Sequence, residues 1–113
     1  MGKRTTAIVP KPENIRISHQ FPIELHVRFK VVTRSVVQKV GNGRTILISS
    51  RSLLFRTDEE LRVGNVLHLD LSWPAQLSSN VALKLEVHGC VTQVGLGMAM
   101  VTIERYEFRT QAM

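Results

Sequence analysis

The sequence predicts an all-β protein, and three observations carry that prediction. Apolar residues recur at every second position in long runs, the period of a strand with one buried face. Gly, Asn and Pro punctuate those runs at roughly strand-length intervals. No stretch of ten residues shows the spacing of an amphipathic helix. Six or so strands with turn signals between them specify a barrel or a sandwich.

The elements follow in order. Residues 1–20 are polar, contain Pro10 and Pro12 and have no period, which predicts a flexible basic arm ahead of a single domain over 21–113. Ile23, Leu25, Val27, Phe29 and Val31 alternate with Glu24, His26, Arg28 and Lys30, a half-buried strand, and residues 32–37 continue extended or bend. Gly41-Asn42-Gly43 reads as the next turn, because Gly and Asn reach positive φ at low cost. Thr45 to Ser49 is then a strand with Ile46 and Ile48 inward and Thr45, Leu47 and Ser49 outward. Ser50-Arg51-Ser52 turns the chain and Leu53 to Thr57 returns. Asp58-Glu59-Glu60 is a polar loop or one helical turn, with Thr57 and Glu60 as a capping box. After Gly64, the residues Leu67, Leu69, Leu71 and Trp73 share one face, and Pro74 ends that strand. A loop over Gln76 to Asn80 leads to a strand with Leu83, Leu85, Val87 and Val91 inward. Gly95 and Gly97 make a turn, Met98 to Glu104 is the last strand, and Tyr106 to Met113 is a tail.

Composition bounds the function. The chain has 113 residues, the size of one domain, and is 43% hydrophobic and 21% charged. No run of eighteen apolar residues is present, and charges interrupt residues 1–20, so neither a membrane span nor a signal core is expected and the cytoplasm is the expected location. The one cysteine, Cys90, has no partner for an internal disulfide. The net charge is +6, but residues 1–56 carry +9 and residues 57–113 carry −3. That asymmetry suggests a basic surface for an anionic partner, or simply solvated strand faces. His19, His26, His68 and His88 are scattered without metal-ligand spacing, and the last three fall on polar strand faces as solvated residues. No nucleophile elbow and no phosphate-cradling glycine loop appears, so an enzyme and a bound cofactor are not expected.

One stretch carries more information than the rest: Gly43-Arg44-Thr45-Ile46-Leu47-Ile48-Ser49-Ser50-Arg51-Ser52-Leu53-Leu54-Phe55, with Arg16 upstream. It resembles the signature hairpin of PilZ domains, small bacterial barrels that bind cyclic di-GMP. The resemblance covers residues 16–109 and implies a six-stranded antiparallel PilZ-like β-barrel. The family hairpin motif is Asp or Asn, any residue, Ser, two of any residue, then Gly; here Leu47, Ser49 and Ser52 hold those places. The family also carries two Arg separated by three residues before the first strand, with a Pro two positions on. Placed from Pro22, Arg16 takes the first position and Gln20 the second. Gly64 fits the family pattern too, and Leu71-Ser72-Trp73-Pro74 and Glu104-Arg105-Tyr106-Glu107-Phe108-Arg109 resemble a variant subgroup.

The resemblance implies a regulatory site for cyclic di-GMP made by Arg16, Gln20, Leu47, Ser49, Arg51 and Ser52, in a module that couples the nucleotide to a protein partner. The departures alter its chemistry. Gln20 lacks the charge and the forked geometry of Arg. Leu47 cannot accept from a guanine edge. Ser52 replaces a Gly that permits positive φ. Each lost charge-assisted bond costs roughly 1.5–3 kcal/mol. Arg51, within the turn, and Arg34 and Arg44 nearby are candidates to compensate. Two other readings stand beside this one. One is an interaction module that keeps the barrel and binds no nucleotide. The other is a basic barrel that binds single-stranded nucleic acid, disfavoured because Phe29 and Trp73 fall on core faces and leave few stacking platforms.

Overall fold

The computed structural model describes residues 21–78 and 81–112. They form six strands: β1 His26–Thr33, β2 Val36–Ile48, β3 Ser52–Thr57, β4 Val66–Ser78, β5 Val81–Gly95 and β6 Met98–Ala112. There is no helix among the described residues. Every pairing is antiparallel, and the lateral order is β1-β2-β3-β6-β5-β4. β4 pairs back onto β1, so the sheet closes on itself into a barrel and leaves its paired part without an edge. The expected arm over residues 1–20 lies outside the described residues.

The period-two pattern fills the interior. Val27, Phe29 and Val31 from β1 meet Leu67, Leu69 and Leu71 from β4, with Leu53 and Phe55, Leu85, Val87 and Val91, and Ala99 and Val101 beside them, and Leu25, Ile48 and Leu61 completing the core. Phe29 and Phe55 tilt against each other at 5.5 Å between ring centroids, an arrangement that favours the aromatic quadrupoles over a flat stack.

Several expected boundaries move, each for a physical reason. Gly41-Asn42-Gly43 is not a turn but lies inside β2. A Cβ on Gly41 would lie 2.5 Å from the Phe29 ring, and one on Gly43 would run into the Arg56 carbonyl. The two glycines let strands and a core ring come close. The β1–β2 turn falls instead at Arg34 and Ser35, both at positive φ (52° and 67°), the backbone of a two-residue hairpin. Pro74 does not end β4. It sits in a register shift between Trp73 and Gln76, where no ladder N–H is required. The loop expected over 76–80 therefore shrinks, since β4 reaches Ser78 and β5 begins at Val81. Thr57 caps a bend rather than a helix: its hydroxyl donates to the Asn42 carbonyl at 2.7 Å and accepts from the Glu59 N–H at 3.1 Å.

The expected C-terminal tail is strand as far as Ala112. β1 covers β4 only to Leu71, and β3 covers β6 only to Thr102. Beyond those points β4, β5 and β6 continue as a three-stranded extension past the closed part. Trp73 and Phe108 meet edge to face there at 5.3 Å, both half-buried.

Candidate functional site

The turn between β2 and β3 is organised by one hydroxyl. Ser49 is 6% exposed. Its Oγ accepts from the Ser52 N–H at 3.1 Å and from the Arg51 N–H at 3.3 Å, and it lies 3.1 Å from the Ser52 hydroxyl. The Ser49 N–H donates to the Ser52 carbonyl at 2.9 Å. Ser and Asn types at such positions close turns by satisfying the backbone donors that a tight reversal strands. Ser49, expected to face outward, is buried: it lies past the end of β2, where the turn folds its own amides over the hydroxyl. A bulge between Thr45 and Leu47 gives one residue to neither face and shifts the alternation within β2. The same bulge buries Thr45 and leaves Ile46 half-buried, the reverse of the expected order for those two, while Ile48 is core as expected.

Thr45 is the residue the sequence reading placed wrongly with most consequence. At 2% exposure, its hydroxyl donates to the Ile23 carbonyl at 2.5 Å and accepts from the Leu25 N–H at 2.7 Å. The Thr45 N–H donates to the Leu25 carbonyl at 2.9 Å. Farther along, Phe21 and Ile48 exchange both backbone bonds, at 2.8 and 3.0 Å. The chain entering the barrel is therefore stapled along the last four residues of β2. It reaches Phe21 one residue short of the Ser49 turn.

The other expected site residues sort as follows. Leu47 is half-buried on β2, opposite Leu54. Ser52 opens β3 with ordinary φ, so nothing at that position calls for glycine. Arg51 is exposed; its carbonyl accepts from the Ile103 N–H at 2.8 Å, and its guanidinium has no ion pair among the described residues. Arg44 lies 3.9 Å from Glu24, both well exposed, a pair worth little. Arg34 is in the β1–β2 turn, at the opposite end of β2 from Ser49, so it does not join this site. Arg16 and Gln20 fall outside the described residues.

A second cluster was read as solvated and is not. His68 and His88 are cross-strand partners on β4 and β5, half-buried, with ring centroids 4.0 Å apart. The only sequence signal was that both sit at polar positions of adjacent strands; their meeting depends on the β4–β5 register. Burial, then the neighbouring His68, then Arg105 hold the His88 pKa below its usual value, against the opposing pull of Glu86 and Asp70. Among the described residues no three His, Cys, Asp or Glu side chains are grouped to hold a metal ion, and no helix is long and apolar enough to cross a membrane.

Compared with known proteins, the chain matches no family model, no curated protein and no solved structure.

Proposed function

We propose that this chain is a PilZ-type cyclic di-GMP receptor of the bacterial cytoplasm, with an altered site at the junction of arm and β2–β3 turn. The observation that carries the reading is the staple. Phe21 is bonded to Ile48, one residue from Ser49 and the turn that holds Arg51 and Ser52. A PilZ-type site needs its arm and its hairpin together, and this backbone pairing supplies that. Arg16 lies five residues before Phe21, so an extended chain can carry it up to roughly 18 Å from that anchor. Arg51, exposed and without an ion pair among the described residues, would supply a second phosphate contact in place of the arginine that Gln20 replaces. The nucleotide would be held by Arg16 and Arg51 on its phosphates and by the arm across its bases. Arm order would then pass the signal to a protein partner.

A second reading, a nucleotide-independent interaction module, is favoured by a different observation. The Ser49 hydroxyl is already used by the turn, and Leu47 offers no acceptor to guanine. Titration calorimetry of the protein with cyclic di-GMP at low and moderate salt separates the two. Saturable binding that weakens with salt supports the receptor. No heat at either salt supports the interaction module. Steep salt-dependent binding of single-stranded nucleic acid in place of the dinucleotide would support neither.

A further inference from the structure

The outer wall of the barrel carries its charges in rows across the strands. In one row Arg28 on β1 stands beside Asp70 on β4, then Glu86 on β5 and Glu107 on β6. In the next row Lys30 stands beside His68, then His88, then Arg105. The two rows differ in how they are satisfied. The acids are neutralised: Lys84 lies 3.4 Å from Asp70 and 3.6 Å from Glu86, and Arg109 lies 2.9 Å from Glu86 and 3.5 Å from Glu107. Lys30 and Arg28 have no ion pair among the described residues. Arg105 donates to His88 Nδ1 at 3.3 Å, since a guanidinium cannot accept, so that nitrogen carries no proton in the neutral ring. A cleft of about 600 Å³ is lined by Arg28, Lys30, His68 and His88, with Lys84 and the acids Glu59, Asp70 and Glu86 also on its walls; Arg105 lines an adjoining hollow on the other side of His88.

We infer that the row Lys30, His68, His88 and Arg105 is a second anion site, for a small phosphate-bearing molecule, separate from the β2–β3 turn. Two imidazoles in tilted contact would alone equally suit a divalent metal. Here a lysine flanks one ring and a guanidinium holds the other, and fixed cations on both sides repel a dication and attract an anion. Lys30 and Arg105 are three strand spacings apart, about 14 Å between backbones, which suits a diphosphate better than a single small ion. The anion accepts from the imidazoles at the centre and from the two long side chains at the ends. On binding, Arg105 turns its fork from His88 Nδ1 to phosphate oxygen, and Nδ1 takes up a proton. The groups facing this pair are Arg28 and Lys30 on β1, Glu59 after β3, Asp70 on β4, Lys84 and Glu86 on β5, and Arg105 and Glu107 on β6. With Asp70, Glu86 and Glu107 paired, Glu59 is the one acid left against Arg28, Lys30 and Arg105 among these groups, and the net field over the row is positive.

The test follows the imidazole signals by NMR while pH falls, in chloride and then with inorganic phosphate or pyrophosphate at the same ionic strength. His88 is expected to bind its proton at least about threefold more tightly in phosphate, and more so in pyrophosphate. The His68 ring signals should move with anion concentration, and those of exposed His26 should not. Lys30→Ala and Arg105→Ala, both at exposed positions, should each abolish the response while the amide spectrum keeps its dispersion. Equal movement of His26 and His88, or none, would overturn the site. So would a response of both rings to zinc with none to phosphate, which would make them a metal-binding pair.

Discussion

The β2–β3 turn and the outer wall of β4–β6 use polar residues in opposite ways. At the turn, one buried hydroxyl takes up the local backbone donors, and a second, on Thr45, staples the entering chain. Most of the backbone donors there are satisfied from within, and Arg51 is exposed with no ion pair among the described residues. On the wall, the side chains are half-buried or exposed; their hydrogen bonds run between strands, and two longer ion pairs, Lys84–Glu86 and Arg109–Glu107, run along one. A polar group consumed by its own backbone holds shape. A charge left over after its neighbours have paired is available to a ligand. In the proposed receptor the turn needs the arm to complete its site, whereas the wall carries its charges already in place.

The largest test of this contrast is Thr45→Val. It leaves the Leu25 N–H and the Ile23 carbonyl without their side-chain partner in a buried place, a loss of about 2–3 kcal/mol. Chemical denaturation measures it. The His88 titration should be unchanged, because the wall does not depend on the staple. Ser49→Ala comes next, at about 1–2 kcal/mol, since the Arg51 and Ser52 amides partly recover bonds to water. Hydrogen exchange should accelerate at residues 49–52 and not on β4 or β5. If Ser49→Ala were neutral in stability and exchange, the turn would not be organised as described.

The wall has a pH signature. The His88 pKa is lowered on folding, so the folded state binds a proton less readily than the unfolded one. Its contribution to stability is complete above the unfolded value of about 6.5 and is lost as pH falls from there through the lower folded value. Thermal midpoints should fall across that window, and His88→Gln should flatten the fall. The effect is small because the ring is only partly buried. A further modest effect is expected at the β1–β2 turn, where Arg34 and Ser35 hold positive φ without being glycine or asparagine. Replacing the pair by Asn-Gly should stabilise the hairpin by about 0.5–1 kcal/mol, measured by the same denaturation.

Much of the wall and core was readable from residues 23–31 and 67–73, because strict alternation leaves one solution for each strand face. The turn region was harder. Gly41 and Gly43 carry the local signature of a reversal, and only the Phe29 ring and the Arg56 carbonyl, both distant in sequence, reveal that they mark close packing. The bulge at Ile46 has no residue signature, yet it exchanges the burial of Thr45 and Ile46. Pro74 argued for an end, and the register shift around it supplied the tolerance. The His68–His88 contact depends on which strand lies beside which, and that information is absent from either strand alone. The turn motif itself was visible. Its chemistry was not, because whether Ser49 serves a ligand or its own backbone is decided by its burial.

The central claim is that arm and turn form a cyclic di-GMP site whose geometry persists although its chemistry has changed. Calorimetry on the variant Gln20→Arg, Leu47→Asp, Ser52→Gly tests it most directly, since these changes restore a phosphate clamp, a guanine acceptor and a permissive turn. The variant should bind cyclic di-GMP at least about tenfold more tightly than the parent, about 1.4 kcal/mol, and Arg16→Ala in that background should remove most of the gain. A variant that melts cooperatively with the parent's strand spectrum yet shows no binding would contradict the claim.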